Sequence, residues 1–214
     1  MTSPYTAPEA AHAYVLEEVR RADRDRFLGA LFAPMPARAG LLALLAFDHE
    51  LARTGTVTRE PMLARIRLEW WREAVAEATG SGTPRAQPVA EALAETARRH
   101  GLSAEALLAL VDAREEEIDG PLDVVRTGTA LADLQLAVLG VADEASRRAV
   151  RVVSAAWLMG EGRERDALVA EARGLRDRVS PDALPVLLPA LSLGGMALWR
   201  KPLAYWWAAR TGRY

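Results

Sequence analysis

The densest group of chemistry-bearing side chains in this 214-residue chain is the run Asp112-Ala-Arg-Glu-Glu-Glu-Ile-Asp119, extended to Asp123, with six acids and one arginine over twelve residues. On a helix, residues four apart share a face, so Asp112 aligns with Glu116 and Glu115 with Asp119. Such pairs are what Mg²⁺-diphosphate chemistry needs, because Mg²⁺ takes few protein oxygens and bridges to phosphate. Asp112, Glu115, Glu116 and Asp119 are therefore metal-ligand candidates. The alternative is a solvated face at a helix end, and the residue types alone leave both open.

Other chemistries drop out. Cysteine is absent, which excludes disulfides, thiolate metal sites and thiol catalysis and fits a cytosolic setting. The three histidines, His12, His49 and His100, lie in separate segments without a carboxylate at ligand spacing, and neither G-x-S-x-G nor H-E-x-x-H occurs. Lys201, beside Pro202, is the only lysine, so P-loop and Schiff-base enzymes lack a candidate. With 27 Lys plus Arg against 29 Asp plus Glu, no charge excess draws nucleic acid.

The elements that must position these residues are helices. The chain holds 42 Ala but only two Ile and three Phe, and no stretch alternates apolar and polar residues over strand length. Punctuation predicts eight to ten helices in an all-α fold, with residues 1–214 forming a single domain. Segments run from Pro8 to about Arg20, from Pro36 to Gly55 (with Leu41, Leu44, Leu45 and Asp48 on one face), and from a Thr58 N-cap to Thr79. In the last of these the stripe Leu63, Ile66, Trp70, Ala74 predicts a buried Trp70, with Arg65 and Glu69 paired outside. Ser103 caps the helix carrying the acidic run, after Gly101 ends its predecessor. Later helices are expected at about 126–139, 143–159, 164–178 and 180–193. The N-terminus shows no basic-then-apolar leader pattern, and the apolar stretch Ala183 to Trp199 is broken by Pro185, Pro189, Gly194 and Gly195, which argues against a membrane span.

Two stretches carry a family resemblance: DRDRFLGALFAPMPARAGLLALLAFDHELART (23–54) and VTREPMLARIRLEWWREAV (57–75). Asp25, Arg26, Phe27, Ala43, Phe47, Glu60, Pro61, Met62, Ile66, Arg67, Trp70, Trp71, Arg72 and Glu73 match the pattern of the squalene/phytoene synthase family, most closely its divergent branch that includes a mitochondrial respiratory complex I assembly factor. LLALVDAREEEID resembles the family helix with an Asp-x-Arg element, matched by Asp112 and Arg114, and KPLAYWWAARTGR resembles the branch's C-terminus. The resemblance implies a helical bundle of the isoprenoid-synthase type, shortened between 128 and 165. In the family's enzymes two aspartate-rich helices face each other across a cavity and hold Mg²⁺ for head-to-head condensation of prenyl diphosphates.

The chain departs from that pattern at both motifs. The first reads Asp48-His-Glu50-Leu-Ala52, where Asp48 and Glu50 diverge by about 200° on a helix and the position four beyond Asp48 is alanine. The nearest echo of the second, Glu161-Gly-Arg-Glu-Arg-Asp166, lacks the ordered acid pair. The resemblance therefore implies a catalytically degenerate bundle acting by protein or lipid interaction, with a respiratory-complex assembly partner or a prenyl lipid expected. Its substrate-binding candidates are Asp48, Glu50, Arg67, Asp112 and Arg114. The alternative is a Mg²⁺-dependent prenyl diphosphate transferase, the only reading that requires a cofactor. The segment from Trp199 to Tyr214 carries four basic residues, five aromatics and no acid. Trp199, Arg200, Lys201, Trp206, Trp207 and Arg210 are accordingly candidates for membrane contact, against a bundle cap. The expected location is cytoplasmic, with a peripheral position at the inner face of the membrane as the alternative.

Overall fold

The structure, a computed structural model, describes residues 7–57 and 60–214. It is all-α: among the described residues there are eleven α-helices, several 3-10 turns and no strand. The contacts cluster in two compact units within the chain expected to form one domain.

The first unit, Met1–Ala22 with Ala39–Asp123, holds α1 (Ala7–Ala22), most of α3 (Met35–Val57), α4 (Pro61–Thr79), α5 (Pro88–His100) and α6 (Ala104–Glu116). Helix α3 runs two residues past Gly55, where the sequence predicted its end. Residues 40–48 are all buried, including Leu41, Leu44, Leu45, Phe47 and Asp48. A helix apolar all round belongs inside a core, which makes Asp48 an intruder that needs a partner.

Helix α4 packs against α5 and α6. Of the predicted stripe only Ala74 is buried, and the register is otherwise one residue on: Ala64, Leu68, Trp71, Val75 and Ala78 are buried, whereas Trp70 is 37% exposed, Ile66 59% and Leu63 45%. Both stripes have helical spacing. Trp71 wins the core because its ring meets Phe47 edge-on at 5.2 Å, which Trp70 does not. The Arg65–Glu69 pair is also corrected, since Arg65 bonds Asp119 at 2.6 Å and Glu69 lies 3.6 Å from Arg72. The predicted cap Thr58 lies outside the described residues, and Glu60 occupies the N-cap with Pro61 after it.

Capping signals set the next two helices. Gly101 ends α5 at φ 65°, a left-handed conformation that glycine adopts without steric penalty, and Ser103 accepts from the Ala106 N–H to start α6. Helix α6 stops at Glu116, short of Asp119, and residues 117–119 form a turn ahead of Gly120-Pro121. The Glu115/Asp119 helical pair is therefore not formed. His100 is the last residue of α5, the helix-end position expected.

The second unit, Asp23–Arg38 with Val124–Tyr214, holds α2 (Arg24–Ala30), α7 (Val124–Leu139), α8 (Glu144–Leu158), α9 (Arg163–Leu175), the short α10 (Leu184–Leu187) and α11 (Lys201–Thr211). Asp143 caps α8 by accepting from the Ser146 N–H, and these hydrogen bonds hold its carboxyl below the usual range. Helices α7 and α8 meet closely at Gly128, where a Cβ would lie 2.6 Å from the Ala155 nitrogen. Only glycine fits that contact. The Pro- and Gly-broken stretch after Ser180 forms 3-10 turns around α10, and no helix of the described residues is long and apolar enough to cross a membrane.

Candidate functional site

Every sequence-predicted acid of the first unit can be placed, and arginines hold most of them. Helix α3 carries Asp48 into the core, with 2% of its side chain exposed, and α6 brings Arg114, 6% exposed, to within 2.8 Å of it. The second guanidinium nitrogen of Arg114 reaches Glu117 at 3.2 Å. Burial pulls the guanidinium pKa down, and the charges and hydrogen bonds of Asp48 and Glu117 together outweigh it, so Arg114 stays protonated. The two candidates thus meet, as an ion pair sealed from solvent.

On either side of Arg114 along α6, Asp112 and Glu115 share a single partner. Arg72 of α4 donates to both carboxylates, and although partial burial opposes its charge, the two acids raise its pKa above the ordinary value. Asp119, in the turn beyond α6, chelates Arg65 with both oxygens at 2.6 and 2.7 Å. Glu116 is exposed. The sequence had marked Arg72 only as a motif match. Its role carries no local signal, because its acids lie 40 and 43 residues away.

The family resemblance implies Mg²⁺ on paired acids, and these residues do not fit it. Asp48 is sealed from solvent against Arg114, and Asp112, Glu115 and Asp119 already neutralise arginines. Among the described residues no three His, Asp or Glu side chains converge to hold a metal ion.

Glu50 and Arg67 lie elsewhere in the first unit, lining a cleft of about 380 Å³ with Arg53, Thr54, Trp70, Trp71 and Gln87. Arg53 bridges Glu50 at 3.3 Å and Glu18 at 3.5 Å. Trp70 forms part of the wall with Arg85 stacked over its ring at 4.5 Å. Arg85 itself is bound by Glu77 at 2.6 Å, a hydrogen bond that pulls the Glu77 carboxyl below its usual range. The echo of the second acidic motif, in the second unit, forms the bend 160–162 and the start of α9 beside a shallow hollow, without an acid pair.

The C-terminal candidates separate into two groups. Lys201 is 13% exposed and gives its ammonium to both oxygens of Asp25 at 2.6 and 2.8 Å, so it is an internal cation and not a membrane contact. Tyr205 is fully buried, its hydroxyl 2.9 Å from Ser192, and Tyr214 is buried with its hydroxyl donating to the Ala172 carbonyl. Burial pushes the Tyr214 phenol up to about 12 and raises that of Tyr205 further. Trp199, Trp206 and Trp207 stand exposed, each with an arginine over its ring: Arg200, Arg210 and Arg213 at 5.8, 5.7 and 6.0 Å.

Comparison with known proteins agrees with this architecture. The chain is 33% identical over 142 residues to the rat protein named NADH dehydrogenase (ubiquinone) complex I, assembly factor 6, and 30% identical over 139 residues to the human one. These matches cover 62% and 61% of the chain but only 42% and 41% of the relatives, so the chain matches well under half of their length. The crystal structure of squalene synthase HpnC from Alicyclobacillus acidocaldarius superposes with a TM-score of 0.65 over 96% of this chain and 95% of that one, at 17% identity, which establishes a shared all-α fold. The family model for squalene/phytoene synthase matches residues 19–134, more than half of the sequence, and the chain belongs to the squalene/phytoene synthase family.

Proposed function

We propose that the protein is a catalytically degenerate member of its family that works by binding other proteins, in the biogenesis of a respiratory NADH dehydrogenase complex. The observation that carries this reading is the Asp48–Arg114 pair. At the position where a metal-binding acid pair would begin, the carboxylate is buried against a guanidinium and the residue four beyond it is Ala52. Arg72 on Asp112 and Glu115 supports the same conclusion. The assembly role rests on the relatives' names, and this reading places the protein in the cytoplasm.

The test has two arms. Purified protein given farnesyl or geranylgeranyl diphosphate with Mg²⁺ should form no head-to-head product above a no-protein control. Removing the gene from its host should lower the amount of assembled NADH dehydrogenase complex on native gels, and wild type or an Asp48→Leu/Arg114→Leu double variant should restore it. A second reading, Mg²⁺-dependent prenyl transfer, is favoured by the cleft in which Glu50, Arg53 and Arg67 gather charge beside the tryptophans. Product formation lost on Arg67→Ala would establish that reading and overturn the first.

A further inference from the structure

Helix α11 is apolar on two faces, and only one is covered. Tyr205 and Ala208 pack into a cluster with Leu188, flanked by Leu28, Leu191 and Ala209. Leu203 lies three and four residues before Trp206 and Trp207, and Arg210 four and three residues after them, on the other side, and Trp199 precedes them in the turn that leads into the helix. Leu203 is 71% exposed and Trp199 81%, and this short stretch supplies four of the thirteen exposed large hydrophobics among the described residues. With Lys201 held by Asp25, three cations remain on the segment, Arg200, Arg210 and Arg213, with no acid between 199 and 214.

We propose that this face of α11 docks on an anionic lipid bilayer, its indoles seated at the headgroup level and its arginines on lipid phosphates. The charge pattern selects a membrane over a protein partner. Tryptophan concentrates at membrane–water interfaces, and here each exposed indole has a guanidinium beside it, the arrangement of a surface that is apolar and wet at once. A single sign of charge fits a leaflet of anionic headgroups, where each basic residue adds an attraction that salt screens. This goes beyond the assembly reading and stands if that reading falls.

The experiment is co-sedimentation of the full chain with phosphatidylcholine vesicles with and without phosphatidylglycerol, alongside tryptophan emission. Wild type should pellet with the anionic vesicles at low salt, with emission shifted to the blue, and should release as salt rises. Replacing Arg200, Arg210 and Arg213 by Gln should weaken binding by about fivefold per arginine. Replacing Trp199, Trp206 and Trp207 by Ser should abolish the blue shift while the variant's circular dichroism remains that of wild type. No pelleting at low salt, equal binding to neutral vesicles, or unchanged binding by either variant overturns the proposal. So does concentration-dependent self-association without vesicles that the Ser variant abolishes, since a second copy would then cover the face.

Discussion

Arginine does different work in two parts of this molecule. In the α3, α4 and α6 region Arg72 and Arg114 are spent on carboxylates, one pair sealed from water and another half-buried. On the C-terminal segment Arg200, Arg210 and Arg213 lie over indoles at the surface. A buried cation without its acid is costly, so the first group ties the fold together. An exposed cation on a ring contributes little to stability, so the second is available for recognition.

The sharpest way to break this contrast is to remove one member of the buried pair. Arg114→Leu strands Asp48 in the core and should cost about 3 to 5 kcal/mol, lowering Tm by on the order of 10 °C in thermal unfolding. The Asp48→Leu/Arg114→Leu double variant should regain most of that loss. If the single variant melts like wild type, the pair does not hold the fold. Neighbouring tryptophans give a second contrast of similar size. Trp71→Ala should cost about 3 to 5 kcal/mol in denaturant unfolding and Trp70→Ala about 1 or less, because only Trp71 fills the core. Equal costs would restore the stripe that the sequence alone favours.

Lys201 tests the boundary between the groups, being C-terminal in sequence but internal in contact. Lys201→Gln should cost about 1.5 to 3 kcal/mol, whereas Arg210→Gln should stay within about 0.5, both read from the same urea titrations. The smallest effect is alkaline. With the Tyr214 phenol raised from its ordinary 10 to about 12 in the fold, the native state holds its proton longer than the unfolded chain. Burial of the neutral phenol therefore stabilises the fold fully below pH 10, and that contribution fades as pH rises toward 12. Tyr214→Phe should flatten the fall in stability across that window.

Much of the helical frame was legible because its signals are local. Gly101 and Ser103 mark a helix stop and start by backbone chemistry, and the spacing of Leu41, Leu44 and Leu45 marks a helix face. Helix α4 was legible as an element but not in its register, since two tryptophans in succession give two stripes of equal hydrophobicity and only a ring on another helix chooses between them. Helix α11 showed no single apolar face because both sides carry apolar residues. The candidate site was legible in composition and not in pairing. Asp48 and Arg114 are 66 residues apart and Asp25 and Lys201 are 176 apart, distances at which periodicity says nothing about who meets whom.

The Asp25–Lys201 contact has a consequence for how the protein can be regulated and probed. With its one lysine enclosed and the other 26 basic residues all arginine, the chain offers acetyltransferases and ubiquitin ligases no open amine among its side chains. Its arginine charge is accordingly out of reach of lysine acylation. Amine-reactive crosslinkers would likewise pass over its side chains, so partner mapping has to rely on carboxylate- or light-activated reagents.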